Sequence, residues 1–194
     1  MLHQILADKQ VVLASASPRR KIIFELLGIK ALVLPSEVEE NEEHSSPQIL
    51  VQRHAYIKAE HIAGIMPADT VVVGSDTIVY HNKEVLGKPA DKYVAYEYLQ
   101  RLSGQKHYVY SGVAVSYKHK IYTSYTRTAV EFNELSRAEI EAYIETGEPM
   151  DKAGAYGIQG YGAQFIKKIN GCYFTVMGFP ITAFYELVNK HIRT

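Results

Sequence analysis

Two short stretches of this chain carry residue types suited to handling phosphate anhydrides. In Val11-Val12-Leu13-Ala14-Ser15-Ala16-Ser17-Pro18-Arg19-Arg20, an apolar strand runs into a helix start. Ser17 reads as the N-cap, and Pro18 takes the first helical position, which proline favours. A helix start offers unpaired N–H groups and the positive end of its dipole. With the hydroxyls of Ser15 and Ser17 and the guanidiniums of Arg19 and Arg20, it suits a polyanion such as a triphosphate. An ordinary helix cap flanked by two solvated arginines is the plainer alternative. In the second stretch, Val71-Val72-Val73-Gly74-Ser75-Asp76-Thr77-Ile78-Val79, one carboxylate interrupts an apolar run. A lone ionised carboxylate in a dry strand costs several kcal/mol, on the order of magnitude, so Asp76 must be hydrogen-bonded, paired or metal-bound. Gly74 reads as a point of close backbone approach, as where a ligand lies against the sheet.

Other side chains extend this set. Lys88, in Leu86-Gly87-Lys88-Pro89, lies on a loop whose glycine and proline restrict the backbone and aim the lysine. Lys58 follows His54 and precedes Ile62 at four-residue spacing, on the edge of a helical stripe with Leu50 and Ile57. In such a place a lysine either snorkels to water or faces a site. One or two of Glu37, Glu39, Glu40, Glu42 and Glu43 are candidates to join Asp76 around Mg²⁺ or Mn²⁺, which prefer oxygen ligands and phosphate. No Walker loop occurs, and Gly157-Ile158-Gln159-Gly160-Tyr161-Gly162 does not have the dinucleotide-binding order. His-Glu-x-x-His and Gly-x-Ser-x-Gly are also absent, against zinc peptidase and serine hydrolase chemistry.

The elements that position these groups alternate as in an α/β domain. A strand at 11–13 leads into a helix from Ser17, with Ile22, Ile23, Leu26 and Leu27 as its expected apolar face and Gly28 as its stop. A strand at 31–34 and an acidic loop precede a second Ser-Pro helix from Ser46 to about Gly64. The central strand spans 70–80, and His81-Asn82-Lys83 folds it back on 84–86 as a hairpin. A helix from Asp91 follows, then paired antiparallel strands at 108–117 and 121–132. Ser136-Arg137-Ala138-Glu139 is a capping box, and Pro180 opens a last helix. Between these lies a glycine-rich tract, 154–162, that reads as a functional loop. The whole predicts a mixed sheet flanked by helices in a single domain, 1–194.

Four motifs in this order resemble the Maf family of nucleoside triphosphate pyrophosphatases over nearly the full length. They are Ser15-Ala16-Ser17-Pro18-Arg19-Arg20, Gly74-Ser75-Asp76-Thr77-Ile78-Val79, Leu86-Gly87-Lys88-Pro89, and Asp151-Lys152-Ala153-Gly154-Ala155-Tyr156-Gly157-Ile158-Gln159-Gly160. The resemblance implies a mixed twisted sheet in two lobes around a central cleft, as in inosine triphosphate pyrophosphatase. It further implies divalent-metal dependence and cleavage of a nucleoside triphosphate to monophosphate and pyrophosphate. It places the catalytic carboxylate, the proton acceptor, at Asp76, with Glu40 and Lys58 as further active-site groups and Glu39 an adjacent alternative to Glu40. Lys88 joins the catalytic set, and Ser15, Arg19, Arg20, Thr77 and Gln159 the substrate-binding set. Asp76 and Glu40 are the expected metal ligands.

Base preference rests on Arg19, Thr77 and Gln159, the three positions that resemble the family branch associated with dTTP and UTP. Another branch, associated with 7-methyl-GTP, has Trp, Gln and Glu there. A glutamine amide offers one acceptor and one donor, matching N3–H and O4 of uracil or thymine. A carboxylate accepts twice and matches the N1–H and amino group of guanine.

Composition bounds the alternatives. The 194 residues are 47% hydrophobic, enough for one full core, and Lys plus Arg balances Asp plus Glu at 21 each. Zero net charge provides no field for nucleic acid or an anionic membrane, so an RNA-binding role built on the 15 tyrosines is disfavoured. The one cysteine, Cys172, excludes an internal disulfide, and no signal peptide or membrane span is evident. A soluble cytoplasmic enzyme, expected as a homodimer from the resemblance, is the main reading. A nucleotide-binding regulator of septum formation without significant turnover is the alternative.

Overall fold

The computed structural model describes residues 1–38 and 46–193. Glu39 and Glu40 therefore lie outside the described residues. Seven strands form one sheet: β1 (Val11–Ala14), β2 (Leu32–Val33), β3 (Val71–His81), β4 (Glu84–Leu86), β5 (Lys106–Tyr117), β6 (Lys120–Phe132) and β7 (Ile166–Asn170), in the order β2-β1-β3-β5-β6-β7 with β4 beside β3. β1 pairs in parallel with β2 and β3, whereas β3 with β4 and β6 with β7 are antiparallel, so the sheet is mixed. The helices are α1 (Leu2–Ile5), α2 (Pro18–Leu26), α3 (Pro47–Ala63), α4 (Lys92–Leu102), α5 (Arg137–Glu145), α6 (Tyr173–Met177) and α7 (Ile181–His191). No described helix is long and apolar enough to cross a membrane.

The chain divides into two compact units. Met1–Asp76, Ser111–Thr126 and Gly178–Thr194 form unit 1; Thr77–Tyr110 and Arg127–Met177 form unit 2. In unit 1, Phe24 of α2 meets Phe184 of α7 and Phe179, with ring centroids 5.2 to 5.7 Å apart. The buried face of α2 is Arg20, Ile23 and Phe24; Ile22 and Leu26, expected inside, are exposed. The inward face runs through Arg20, Ile23 and Phe24, three and four residues apart on one side of the helix.

Unit 2 closes around Leu99, Leu102, Phe132, Tyr143, Tyr156 and Phe165. Its helices begin as predicted: Asp91 accepts the Val94 N–H at 2.8 Å, and Ser136 with Glu139 forms the capping box. The β3–β4 turn has positive φ at Asn82 (49°) and Lys83 (67°), and the β5–β6 turn at Lys118 (49°) and His119 (61°). Both match the two-residue turn whose twist suits a hairpin. The tract 148–165 is a series of 3₁₀ turns (Glu148–Asp151, Ala153–Ala155 and Gly160–Phe165) rather than an open loop.

Candidate active site

In unit 1, the parallel pair β1 and β3 sets the first cluster. Ala14 pairs with Gly74, so Ser15 and the Ser75-Asp76 step follow directly from matched positions on neighbouring strands. The Ser15 hydroxyl oxygen accepts from Arg20 Nη1 at 2.8 Å and from the Ser17 N–H at 3.2 Å. Arg20 Nε in turn donates to the Gly178 carbonyl at 2.9 Å, and only 9% of the residue is exposed. Ser17 sits at the N-cap, but its side chain makes no capping bond. Ser15 is the hydroxyl that organises this turn, with Arg20 as the buried strut behind it. Arg19, next along, is half-buried.

Asp76 is 6% exposed and has both oxygens engaged. Lys58 Nζ donates to Oδ1 at 2.8 Å, and His54 Nδ1 to Oδ2 at 3.1 Å. Burial by itself pushes the carboxyl pKa up. The His54 hydrogen bond and the charges of Lys58 and Arg20 outweigh it and hold Asp76 well below the usual carboxylate range. The group is thus ionised at neutral pH, and an ionised acceptor requires the Nδ1–H form of His54.

Both partners come from α3, four residues apart on one helix face. Their reach depends on how closely α3 lies on the sheet. A Cβ at Gly74 would stand 2.2 Å from the Ala55 carbonyl oxygen, and one at Gly112 would stand 2.2 Å from that of Val51. Ala55, Ala59 and Ala114 fill the same seam. Close approach at Gly74 therefore serves the α3 backbone rather than a ligand lying against the strand. Ser75, on the alternate face of β3, donates to the Gly112 carbonyl at 2.8 Å. His54 entered the sequence reading only as a spacing neighbour of Lys58, yet it holds half of the carboxylate. Its i, i+4 relation to Lys58 was the available signal.

Thr77, Lys88 and Gln159 belong to unit 2. Thr77 follows Asp76 on β3 and is half-buried; Lys88 is exposed just after β4. The Gly154 N–H donates to the Gly87 carbonyl at 2.9 Å, which joins the Gly-Lys-Pro segment to the glycine-rich tract. Gly154 has φ 68°, and a Cβ there would sit 2.8 Å from Val79, so strand and tract touch through the missing side chain. Gln159 is exposed, and its side chain makes no hydrogen bond among the described residues.

Among the described residues no group of three His, Cys, Asp or Glu side chains forms a metal cage, and Asp76 is the one buried carboxylate. A single hard oxygen donor does not suit a resident all-protein site. It does suit Mg²⁺ or Mn²⁺ held by one or two carboxylates together with substrate phosphates.

Comparison with known proteins places these motifs in one family. Residues 10–191 match the family described as Maf-like protein. A dTTP/UTP pyrophosphatase of Bacillus anthracis (strain CDC 684 / NRRL 3495) is 47% identical over 175 residues, which cover 90% of this chain and 91% of the relative. One from Bacillus cereus (strain ATCC 10987 / NRS 248) is 48% identical, covering 90% and 86%. Another from Bacillus thuringiensis subsp. konkukian is 47% identical, covering 90% and 91%. With the match running through both units and all four motifs, the chain belongs to the Maf family.

Proposed function

We propose that this protein is a nucleoside triphosphate pyrophosphatase that hydrolyses dTTP and UTP to the monophosphate and pyrophosphate. The observation that carries the reading is the buried, ionised Asp76 clamped by Lys58 and His54, in a chain 47% identical to enzymes named for that activity. A fixed carboxylate beside lysine and arginine supplies the two things water attack at the α-phosphorus needs. These are orientation of the nucleophile and neutralisation of the leaving pyrophosphate. In this reading Asp76 orients the attacking water as an acceptor and helps hold the cation; its strongly lowered pKa makes it a weak base, so orientation and charge are the larger part of its role. Lys58, Arg19, Arg20 and Lys88 balance the triphosphate charge, and Ser15 with the α2 N-terminus binds phosphate oxygens.

A divalent cation, Mg²⁺ or Mn²⁺, is part of the proposal, held by Asp76 with Glu40 and the phosphates. When bound, such an ion lowers the pKa of coordinated water and offsets charge on the phosphates. Arg19, Thr77 and Gln159 are assigned to the base. The Gln159 carbonyl accepts from N3–H, and its amide N–H donates to O4. A cytoplasmic location and a homodimer belong to the same proposal.

Pyrophosphate release from a panel of normal and modified nucleoside triphosphates, with and without Mg²⁺, tests the reading. Turnover of dTTP and UTP above the purine nucleotides is expected. Binding without turnover would instead support the regulator of septum formation.

A further inference from the structure

Gln159 occupies the N-cap of the 3₁₀ turn Gly160–Phe165, the position at which a side chain ordinarily folds back to accept the first free N–H groups. It does not do so here. Those N–H groups go to Glu148: Oε2 accepts from the Tyr161 N–H at 2.9 Å, and Oε1 from the Gly162 N–H at 3.1 Å and the Tyr143 hydroxyl at 2.9 Å. The fit is tight. A Cβ at Gly160, where φ is 72°, would stand 2.4 Å from Glu148 Oε2, and one at Gly162 would stand 2.6 Å from the Tyr143 hydroxyl. The Glu148 carbonyl also accepts from Lys152 Nζ at 2.5 Å, which anchors the acid's own backbone.

We propose that Glu148 is a positioning residue for substrate specificity: it caps the turn in place of Gln159 and so leaves the Gln159 amide free to read the base. The inference rests on the pyrimidine reading of Gln159 given above. Glu148 lies outside the four motifs, so neither spacing nor residue type marked it. The acid suits the task because it offers lone pairs on two oxygens and takes three donors at once, which a neutral cap of one oxygen cannot match. Partial burial pushes its pKa up, but the Tyr161 and Gly162 N–H groups, the Tyr143 hydroxyl and Lys152 outweigh that and keep it below the ordinary range. The cap is therefore fully charged at neutral pH.

The test is a cycle of Glu148→Ala and Gln159→Ala, read as the ratio of kcat/KM for UTP to that for GTP, beside hydrogen exchange at the Tyr161 and Gly162 amides. Glu148→Ala is expected to speed exchange at those two amides and to lower the UTP/GTP ratio about tenfold, as for loss of hydrogen bonds to a charged acceptor. In the Gln159→Ala background the same substitution should leave the ratio unchanged, since the residue it acts through is gone. Glu148→Gln, which keeps one accepting oxygen, should fall between, and it takes the place of the alanine variant should that fail to fold. A ratio that falls equally in both backgrounds, or amide exchange at the wild-type rate, overturns the proposal. Wild-type protein that prefers UTP while Glu148 variants keep that preference sinks this inference alone. Wild-type protein that turns over UTP and GTP alike removes the pyrimidine reading beneath it.

Discussion

At the scale of single residues, the clamp on Asp76 makes two demands that Asn cannot meet: a negative charge for Lys58 and an acceptor on both oxygens. Asp76→Asn should lower pyrophosphate release by about a hundredfold or more while the fold persists, as expected for loss of general-base or metal-holding work. Near-normal turnover would remove Asp76 from the mechanism. The same clamp makes Asp76 contribute to stability in a defined pH range. Its folded pKa lies below the ordinary 3.8, so its stabilisation is complete above about pH 4 and is lost as the pH falls towards the folded value. Chemical denaturation at pH 7 and pH 3 should show a smaller acid loss in Asp76→Asn than in the parent chain. Gln159→Glu tests the other end of the chemistry. On the proposed base contact, a carboxylate would face uracil O4 in place of an N–H, and a mismatch of about 1–3 kcal/mol against the bound base predicts about a tenfold loss in kcat/KM for UTP relative to GTP. An unchanged ratio would deny Gln159 a part in reading the base.

Elements account for what the sequence reveals and what it conceals. Asp76 was legible because a carboxylate is out of place in an apolar strand, and the Ser136 capping box because its two residues are spaced for it. Both hairpins were legible from the strand patterns that flank them, although their turns carry Lys, His and one Asn at positive φ rather than Gly. β7 was not anticipated: Ile166–Asn170 is a half-exposed edge strand with two lysines, and it lacks the apolar run that marks a buried one. Gly74 was noticed for the wrong neighbour, since a sequence shows that backbone must approach but not what approaches. The seam itself is testable. Gly74→Ala forces α3 off β3 and should destabilise the chain by about 1–3 kcal/mol or more, with activity falling as His54 and Lys58 leave Asp76. Gly64→Ala is the contrast. Its φ of −63° is helical and its nearest neighbours stand at 3.5 Å, so stability should hold or rise by about 0.4–1 kcal/mol. Equal Tm shifts for the two would refute the close packing of α3.

For the molecule as a whole, acid sensitivity extends beyond Asp76. His107 in unit 2 is fully buried, with Nε2 2.7 Å from the Tyr156 hydroxyl and Nδ1 unpartnered among the described residues. Burial, with the nearby charge of His81, pushes its pKa down to about 3. The unfolded chain takes up a proton near pH 6.5 that the folded chain refuses, so stability declines as the pH drops from about 6.5 towards 3. Between pH 7 and pH 5 the decline should reach about 1–2 kcal/mol from this group, and His107→Gln should flatten it. Denaturant midpoints at the two pH values check this. Substrate choice gives a second prediction at this scale. Thymine exceeds uracil by one methyl, worth about 0.8 kcal/mol when buried, so kcat/KM for dTTP and UTP should agree within about tenfold. A gap beyond a hundredfold would assign discrimination to the sugar or to a steric wall.

One of the points at which the chain passes between the two units is the peptide bond joining Asp76 to Thr77. On one side of it stand the carboxylate, its α3 clamp and the Ser15–Arg20 turn. On the other stand Thr77, Lys88, Gln159 and the Glu148 cap. The residues proposed to read the base stand on both sides of this bond, Arg19 before it and Thr77 and Gln159 after it. On the proposed roles, one step along β3 passes from the clamped carboxylate to a residue assigned to the base, so a register slip in that strand would disturb both at once.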